Sequence, residues 1–248
     1  MKKFIFLFLI VILLFFGIIN DIAAKKQSKF IKIDDKTKIE YYVLDSNKTG
    51  PTIFILGGIH GNEPAGYQAA YELTKYNLNK GKIIIFPAVN NFGINSNDRY
   101  YYNNIDLNRC FPGEKQRNEG EKLAFVLFKF IKKIKADMVL DLHESEQYLI
   151  ENNKFSGQSI IAGKTDQSIL YAMNVINQIN KNIYNDKHKF FLDSFPVKNS
   201  LVWAADKNLH IPAFIIETCK KINIKKRINY QIKIITYLLK EAGVELYE

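Results

Sequence analysis

Disulfide scaffolding is the first feature that the sequence lacks. Only two cysteines, Cys110 and Cys219, occur in 248 residues, too few for a fold built on disulfide bridges. We expect two separate buried thiols, although an oxidising compartment could join them. Internal repeats and low-complexity linkers are lacking too, and the length suits one sizeable core, so the sequence predicts one domain.

A dense basic stripe with interleaved aromatic residues is also missing. The formal net charge is +10, but the lysines that produce it are scattered along the chain. This pattern is typical of a solvated surface and argues against nucleic-acid binding. A basic surface could still concentrate the protein near an anionic cell envelope or an acidic substrate.

One long apolar run is present, from Phe4 to Ile19. Lys2 and Lys3 precede it, and a short polar stretch ending in Ala24 follows it, which is the order of a secretory signal. An uncleaved membrane anchor through residues 4–19 is the alternative. We therefore predict export, with residues 1–24 as signal peptide or anchor and 25–248 as the catalytic domain. The location would be periplasmic, extracellular or membrane-anchored outside the cytoplasm.

Beyond this run, apolar strands alternate with amphipathic helices. This alternation predicts an α/β fold, a single domain with a mixed, mostly parallel twisted sheet covered by helices on both faces. Predicted strands are 29–34, 38–45, 52–59, 82–89, 138–142, 158–163 and 213–216. Predicted helices are 65–78, 119–135, 166–183, 200–207 and 225–242. Segments 90–113 and 184–199 read as irregular.

Three predicted strands end in groups that could serve a metal site. The first runs into the Gly-rich turn HGNE, which presents His60 and Glu63, and another delivers His143. A His/Glu/His set with one open position is typical of catalytic zinc. Taken alone, the turn could equally hold a packed histidine and a glutamate that favours a helix dipole. Glu217 ends the last strand, where a buried acid needs a role or a partner. Near zinc it could accept a proton from water.

The irregular segment 90–113 carries further polar groups, and a loop this long in a compact domain is usually functional. It contains Arg99, Asp106, Asn108 and Arg109. One arginine near a metal can stabilise an oxyanion, and the other can bind a carboxylate through two hydrogen bonds.

Four other groups receive less specific roles. We expect a supporting role for Asp141, and surface positions for Glu144 and Glu146. His210 would support the backbone, since it begins the last strand.

The order of these motifs resembles the pattern of the zinc metallocarboxypeptidase family, including its succinylglutamate desuccinylase/aspartoacylase branch and the murein peptide amidases. The motifs are, in order, HGNE, Arg99, DLNR, DLH and IIET. The resemblance implies one Zn²⁺ per chain. The implied ligands are His60, Glu63 and His143, and Asp106 would orient a ligand histidine. Arg99 would polarise the scissile carbonyl, and Glu217 would be general base and then general acid. Asn108 and Arg109 would hold a substrate carboxylate.

The resemblance leaves two branches open. HGNEPAG is similar to the desuccinylase/aspartoacylase branch, whereas RYYYNNIDLNRCFPG and SLVWAADKNLHIPAFIIE are similar to the murein peptide amidases. The stretch after Glu217 reads as one helix, without the β-rich domain typical of the former. Together with the export signal, this favours hydrolysis of an amide in a peptidoglycan-type peptide. An N-acyl amino acid deacylase is the alternative.

A third reading belongs to another class, a non-catalytic envelope-binding module. Such a module would be expected to lose a ligand or the base, and this sequence retains all of them. The expected partner is therefore a small peptide or an N-acyl amino acid. Oligomeric state is left open.

Overall fold

An eight-stranded mixed sheet forms the centre of the molecule. The computed structural model describes residues 27–248. Its strands follow the spatial order β1 (Gln27–Lys32), β2 (Lys38–Asp45), β5 (Lys82–Phe86), β3 (Thr52–Gly57), β6 (Met138–Ser145), β9 (Ala213–Cys219), β7 (Ser159–Ala162) and β8 (Phe191–Asp193). The four central strands β5, β3, β6 and β9 run parallel, while the β1–β2 hairpin and β7 join antiparallel. This confirms the predicted single α/β domain with a mostly parallel mixed sheet.

The element bounds are as follows. The strands are β1 (Gln27–Lys32), β2 (Lys38–Asp45), β3 (Thr52–Gly57), β4 (Asn77–Leu78), β5 (Lys82–Phe86), β6 (Met138–Ser145), β7 (Ser159–Ala162), β8 (Phe191–Asp193), β9 (Ala213–Cys219) and β10 (Leu246–Tyr247). The helices are α1 (Pro64–Leu73), α2 (Asn91–Ser96), α3 (Glu119–Lys133), α4 (Asp166–Asn180), α5 (Leu201–Leu209) and α6 (Ile224–Glu241).

Alternation along the strands divides the core into two layers. Ile53 and Ile55 of β3 face the layer formed by α1, α4 and α6. Phe54 and Leu56 of the same strand face the opposite layer, formed by α3 and α5. Successive side chains of a strand point to opposite faces, so a strand covered on both sides must be apolar throughout. This explains the uninterrupted apolar runs in the sequence.

The chain reverses direction across the sheet at β3. Its next sheet partner along the chain, β5, lies on one side of β3, and the following one, β6, lies on the other. Ligand sites in open α/β sheets lie beyond the carboxyl ends of strands at such a reversal. The turn that carries His60 and Glu63 leaves β3 at this end, next to the end of β6.

Several predicted boundaries are wrong. The helix predicted for 65–78 ends at Leu73, and Asn77–Leu78 instead pairs with β10 as a small separate sheet. The segment 90–113 contains α2 and two 3₁₀ turns, Tyr102–Asn104 and Leu107–Arg109. The β4–β10 pairing joins residues far apart in the sequence, which local periodicity does not report.

The two cysteines are free and buried, as expected. Cys110 belongs to the layer with α3 and α5, and Cys219 to the opposite layer. The proposed signal or anchor, residues 1–24, lies outside the described residues. Within 27–248, no helix has the length and apolar character needed to cross a membrane.

Candidate metal centre

The HGNE turn is shaped by close contact with α2. Gly58 has a φ of +69°, a conformation that favours glycine. A Cβ atom on Gly61 would lie 1.9 Å from the carbonyl carbon of Gly93, so only glycine fits there. The turn therefore buries His60 and Glu63, which are each 3% exposed.

Three side chains meet at one point between the ends of β3 and β6. The ligand atoms of His60, Glu63 and His143 all lie within 4.8 Å of one another. Glu63 Oε1 is 2.8 Å from His60 Nδ1, Glu63 Oε2 is 2.9 Å from His143 Nδ1, and the two Nδ1 atoms are 3.1 Å apart. Two imidazoles and one carboxylate at this spacing fit a zinc-type divalent cation, whose bonds to such ligands are about 2.0–2.2 Å long.

The outward nitrogens of both histidines face carboxylates. His60 Nε2 lies 3.1 Å from Asp106 Oδ1, and His143 Nε2 lies 3.0 Å from Asp141 Oδ2. Metal-binding histidines usually donate their second N–H to such a group, which leaves the first nitrogen free to bind. Asp106 thus occupies the position that the resemblance implies, and Asp141 is placed to support His143.

Nearby buried charges shift the pKa values of His143 and Glu63. Burial lowers the pKa of His143, but the Asp141 and Glu63 carboxylates outweigh it and raise that pKa well above its usual value. Burial raises the pKa of Glu63, but the two histidines outweigh it and hold the pKa well below its usual value. Opposite charges at contact distance in a buried site produce such shifts. His60, Glu63 and His143 thus belong to one buried network of close polar contacts.

Arg99 joins the same network. Its guanidinium donates to Asp106 Oδ2 at 3.0 Å and to Glu63 Oε1 at 3.4 Å. About a third of its side chain remains exposed. The structure therefore brings Arg99 to the edge of the site, where it contacts the ligand cluster and lines the adjoining cavity.

Glu217 lies directly across from His143 in the parallel pairing of β6 and β9. Its Oε2 atom is buried and has no hydrogen-bond partner within residues 27–248. Burial raises the pKa of Glu217 to about 7, with a further contribution from Glu63 and against the attraction of nearby histidines and Arg99. An unpartnered carboxylate with such a pKa is suited to accept and return a proton.

Asn108 and Arg109 are placed differently from each other. Asn108 is 4% exposed; its Nδ2 lies 3.2 Å from His143 Nε2 and its Oδ1 accepts from the Leu201 backbone N–H at 3.0 Å. Its Oδ1 is therefore hydrogen-bonded within the protein, whereas its NH₂ group faces the same ring nitrogen that faces Asp141. The Arg109 guanidinium donates to the Asn108 carbonyl at 2.8 Å and forms no ion pair within 27–248. Of the two arginines at the site, Arg99 is paired with carboxylates, whereas Arg109 has no carboxylate partner within 27–248.

The three candidate ligands, both arginines, Asn108 and Glu217 line a cavity of about 290 Å³. Its wall also includes Lys154, Phe155, Ser156 and Val197. A larger surface groove of about 830 Å³ lies between the β1–β2 hairpin and α3, but no histidine or cysteine lines it. Chemistry rather than size therefore identifies the site. The smaller cavity combines a metal-type cluster, a candidate base and arginines at one point.

The sequence interpretation missed one group completely. Glu144, which we expected at the surface, is 4% exposed. Its side chain accepts from the Ala65 backbone N–H at 2.8 Å and pairs with Arg227 of α6. In the structure, β6 continues past His143 to Ser145, and every residue of the strand is buried. Because Glu144 and Ser145 are polar, the apolar pattern predicted that the strand ends at Leu142.

The chain is similar to known proteins in both sequence and fold. The catalytic-domain model of the succinylglutamate desuccinylase/aspartoacylase family matches residues 49–156, which include both histidines, Glu63 and the loop arginines. This range confirms the resemblance inferred from the sequence. Over 104 residues the chain is 32% identical to the N-alpha-acetyl-L-2,4-diaminobutyric acid deacetylase of Halomonas elongata, covering 40% of this chain and 30% of that protein.

Solved structures share the fold. The mDAP-bound form of Helicobacter pylori Csd4, a D,L-carboxypeptidase, gives a TM-score of 0.73 at 23% identity, covering 80% of this chain and 52% of that one. A succinylglutamate desuccinylase/aspartoacylase from Rhodobacter sphaeroides gives 0.64 at 19% identity, covering 89% and 66%. The chain thus spans about half of Csd4 and under a third of the deacetylase. At these identities the structural likeness confirms the fold class.

The raised pKa of His143 leads to a prediction about metal uptake. Metal ligands must be deprotonated, and the neighbouring carboxylates raise the pKa of His143 well above its usual value. Uptake of a divalent cation should therefore release protons, and the affinity for the cation should increase as pH rises. Asp141→Asn should lower the pKa of His143 and reduce this release. Calorimetry in buffers of different ionisation enthalpy measures the proton count.

Asp137→Asn is the matched control, because Asp137 accepts from the Thr52 backbone N–H at the opposite end of the sheet. It should leave the proton count unchanged. Metal uptake without proton release, or equal release in the wild type and Asp141→Asn, would contradict the prediction.

Proposed function

We propose that this chain is an exported zinc-dependent hydrolase, a metallocarboxypeptidase or amidase that cleaves an amide bond next to a free carboxylate. The observation that carries the proposal is the convergence of His60, Glu63 and His143 with an unpartnered Glu217 beside them. One zinc ion per chain, held by the first three, would act as a Lewis acid towards the substrate carbonyl and the attacking water. The remaining chemistry falls to the residues around it.

Glu217 is placed to move the proton. Its free oxygen accepts a proton from the attacking water, and its pKa of about 7 lets it hold that proton at neutral pH. The same carboxyl then donates the proton to the leaving amine nitrogen, so the C–N bond breaks without expelling an unprotonated amine. A carboxylate already engaged in strong hydrogen bonds would be a poorer base.

The two arginines take different tasks in this proposal. Arg99, beside the ligand cluster, donates hydrogen bonds to the carbonyl oxygen as negative charge develops there. Arg109, which has no carboxylate partner of its own within 27–248, binds the substrate carboxylate. Asn108 lies beside His143 and its Oδ1 accepts from the Leu201 N–H, so its NH₂ group remains to bind the substrate carboxylate with Arg109.

A peptidoglycan-type peptide is the proposed substrate. It is supported by the fold shared with the D,L-carboxypeptidase Csd4, by the apolar N-terminal run of the sequence, and by the Arg109 side chain in the cavity wall. The second candidate is an N-acyl amino acid deacylase, which the family match over 49–156 and the deacetylase similarity favour. Both substrates carry a carboxylate, so binding by Arg109 suits either.

The deciding experiment assays the purified full chain for metal content and for hydrolysis of two substrate panels, muropeptides and N-acyl amino acids. We expect about one zinc per chain, chelator-sensitive amide hydrolysis and preference for the muropeptides. Preference for N-acyl amino acids would establish the deacylase instead. A folded protein that takes up no zinc would leave the non-catalytic binding module.

Glu217→Gln separates proton transfer from metal binding. The amide keeps the size of the side chain but cannot accept the proton, so zinc content should stay at the wild-type level while kcat falls by about 10²- to 10⁴-fold. Glu146→Gln is the matched control, because Glu146 lines the same cavity as an exposed residue and should retain wild-type kcat. Near-normal turnover of Glu217→Gln would remove Glu217 from the mechanism.

Arg109→Ala tests carboxylate recognition. Loss of a charge-assisted hydrogen bond should raise KM about tenfold to a hundredfold for substrates with a free carboxylate, with little effect on the same substrates amidated at that group. Arg117→Ala is the control, since Arg117 is an exposed arginine paired with Glu114. Equal effects on free and amidated substrates would rule out the binding role.

A further inference from the structure

The closing helix α6 sends two polar side chains into the core beneath the candidate metal centre. Gln231 is fully buried, and Arg227, four residues earlier, lies on the same face because residues four apart stack along a helix. Its guanidinium reaches the buried Glu144 carboxylate. Polar groups are costly to bury unless they are bonded, so their contacts indicate what they do.

Gln231 contacts the backbone of a predicted ligand. Its Nε2 donates to the His143 carbonyl oxygen at 2.9 Å and to Thr218 Oγ1 at 3.2 Å. The helix is thereby tied to β6 at His143 and to β9 at the residue after Glu217. One side chain thus connects the strands that carry the proposed ligand and the proposed base.

The Arg227–Glu144 pair reaches the other side of the centre. One Glu144 oxygen binds Arg227, and the second accepts from the Ala65 backbone N–H at 2.8 Å. The Glu144 backbone N–H in turn donates to Glu63 Oε2 at 2.9 Å. The same Oε2 lies 2.9 Å from His143 Nδ1. Glu144 therefore connects α6, the start of α1 and the Glu63 carboxylate.

Stability alone does not account for these residues. Gln231 Oε1 and Arg227 Nε are buried without hydrogen-bond partners within 27–248. An unsatisfied buried polar atom costs stability, and buried ion pairs can often be replaced by apolar side chains without loss. An apolar residue would therefore serve packing as well or better at either position. Among the bonds that remain, Gln231 Nε2 bonds the His143 carbonyl and the Glu144 backbone N–H bonds Glu63 Oε2.

We propose that Gln231 and the Arg227–Glu144 pair are positioning residues for the metal centre. They hold the backbone of β6 and the start of α1 so that the Glu63 and His143 ligand atoms meet. The inference rests on the proposed function, because it assumes that this cluster binds zinc. Partners that orient metal ligands are worth about tenfold to a hundredfold in metal affinity.

The test measures the zinc dissociation constant of the full chain by competition with a chromophoric chelator, together with the melting temperature of the metal-free protein. Gln231→Met keeps the unbranched shape and removes both the donor and the unpartnered oxygen. We expect zinc affinity to fall about tenfold to a hundredfold, with a metal-free melting temperature close to that of the wild type.

A double variant, Glu144→Gln with Arg227→Met, tests the second contact without leaving a single buried charge unpaired. It too should weaken zinc binding by about tenfold or more. Thr236→Val is the matched control on the same helix, because Thr236 Oγ1 bonds only the carbonyl of Ile232 within α6. Its zinc affinity should remain within about twofold of wild type, since it contacts no ligand.

The outcomes separate the two claims. Wild-type protein that binds no zinc would overturn the proposed function itself. Wild type that binds zinc, with unchanged affinity in Gln231→Met and in the double variant, would overturn the positioning role alone. A lowered metal-free melting temperature with unchanged zinc affinity would assign these residues to packing and would also overturn it.

Discussion

Register between three parallel strands is the constraint on which the site depends. In the pairing of β6 with β9, His143 stands opposite Glu217, and β3, which pairs with β6 on the other side, leads into the turn of His60. A shift of one residue in either pairing would turn a proposed ligand or base to the opposite face. The apolar layers on both faces oppose such a shift. Core packing therefore also fixes the positions of the polar groups at the strand ends.

The site brings together charges that are unfavourable to bury singly. Two histidines, Glu63 and Asp141 lie almost completely buried, and Asp106 and Arg99 close the network towards the cleft. Attraction between opposite charges offsets part of the desolvation cost. Glu217 remains outside this balance: Asp141 Oδ2 lies 3.0 Å from His143 Nε2, whereas Glu217 forms no ion pair within the described residues and its buried Oε2 has no hydrogen-bond partner there. Its position beside a paired network is what distinguishes a candidate base from a structural carboxylate.

Sequence reasoning located the groups whose signals are local. An apolar run followed by glycines and a polar side chain marks a strand end, and this pattern led to His60, Glu63 and His143. It failed for Glu144 because a buried carboxylate is recognisable only from its partner, and Arg227 is distant in sequence. It also could not assign the contacts of Asn108, whose amide depends on the start of α5. The sheet formed by β4 and β10 was missed for the same reason.

The two cysteines carry a consequence for where such a fold can work. Cys110 and Cys219 are buried and free in layers on opposite sides of the sheet, so no covalent link between them supports the structure. Packing, hydrogen bonds and ion pairs alone hold residues 27–248. The architecture is therefore indifferent to the thiol–disulfide balance of its surroundings, and reducing agents can accompany it through purification without loosening the sheet.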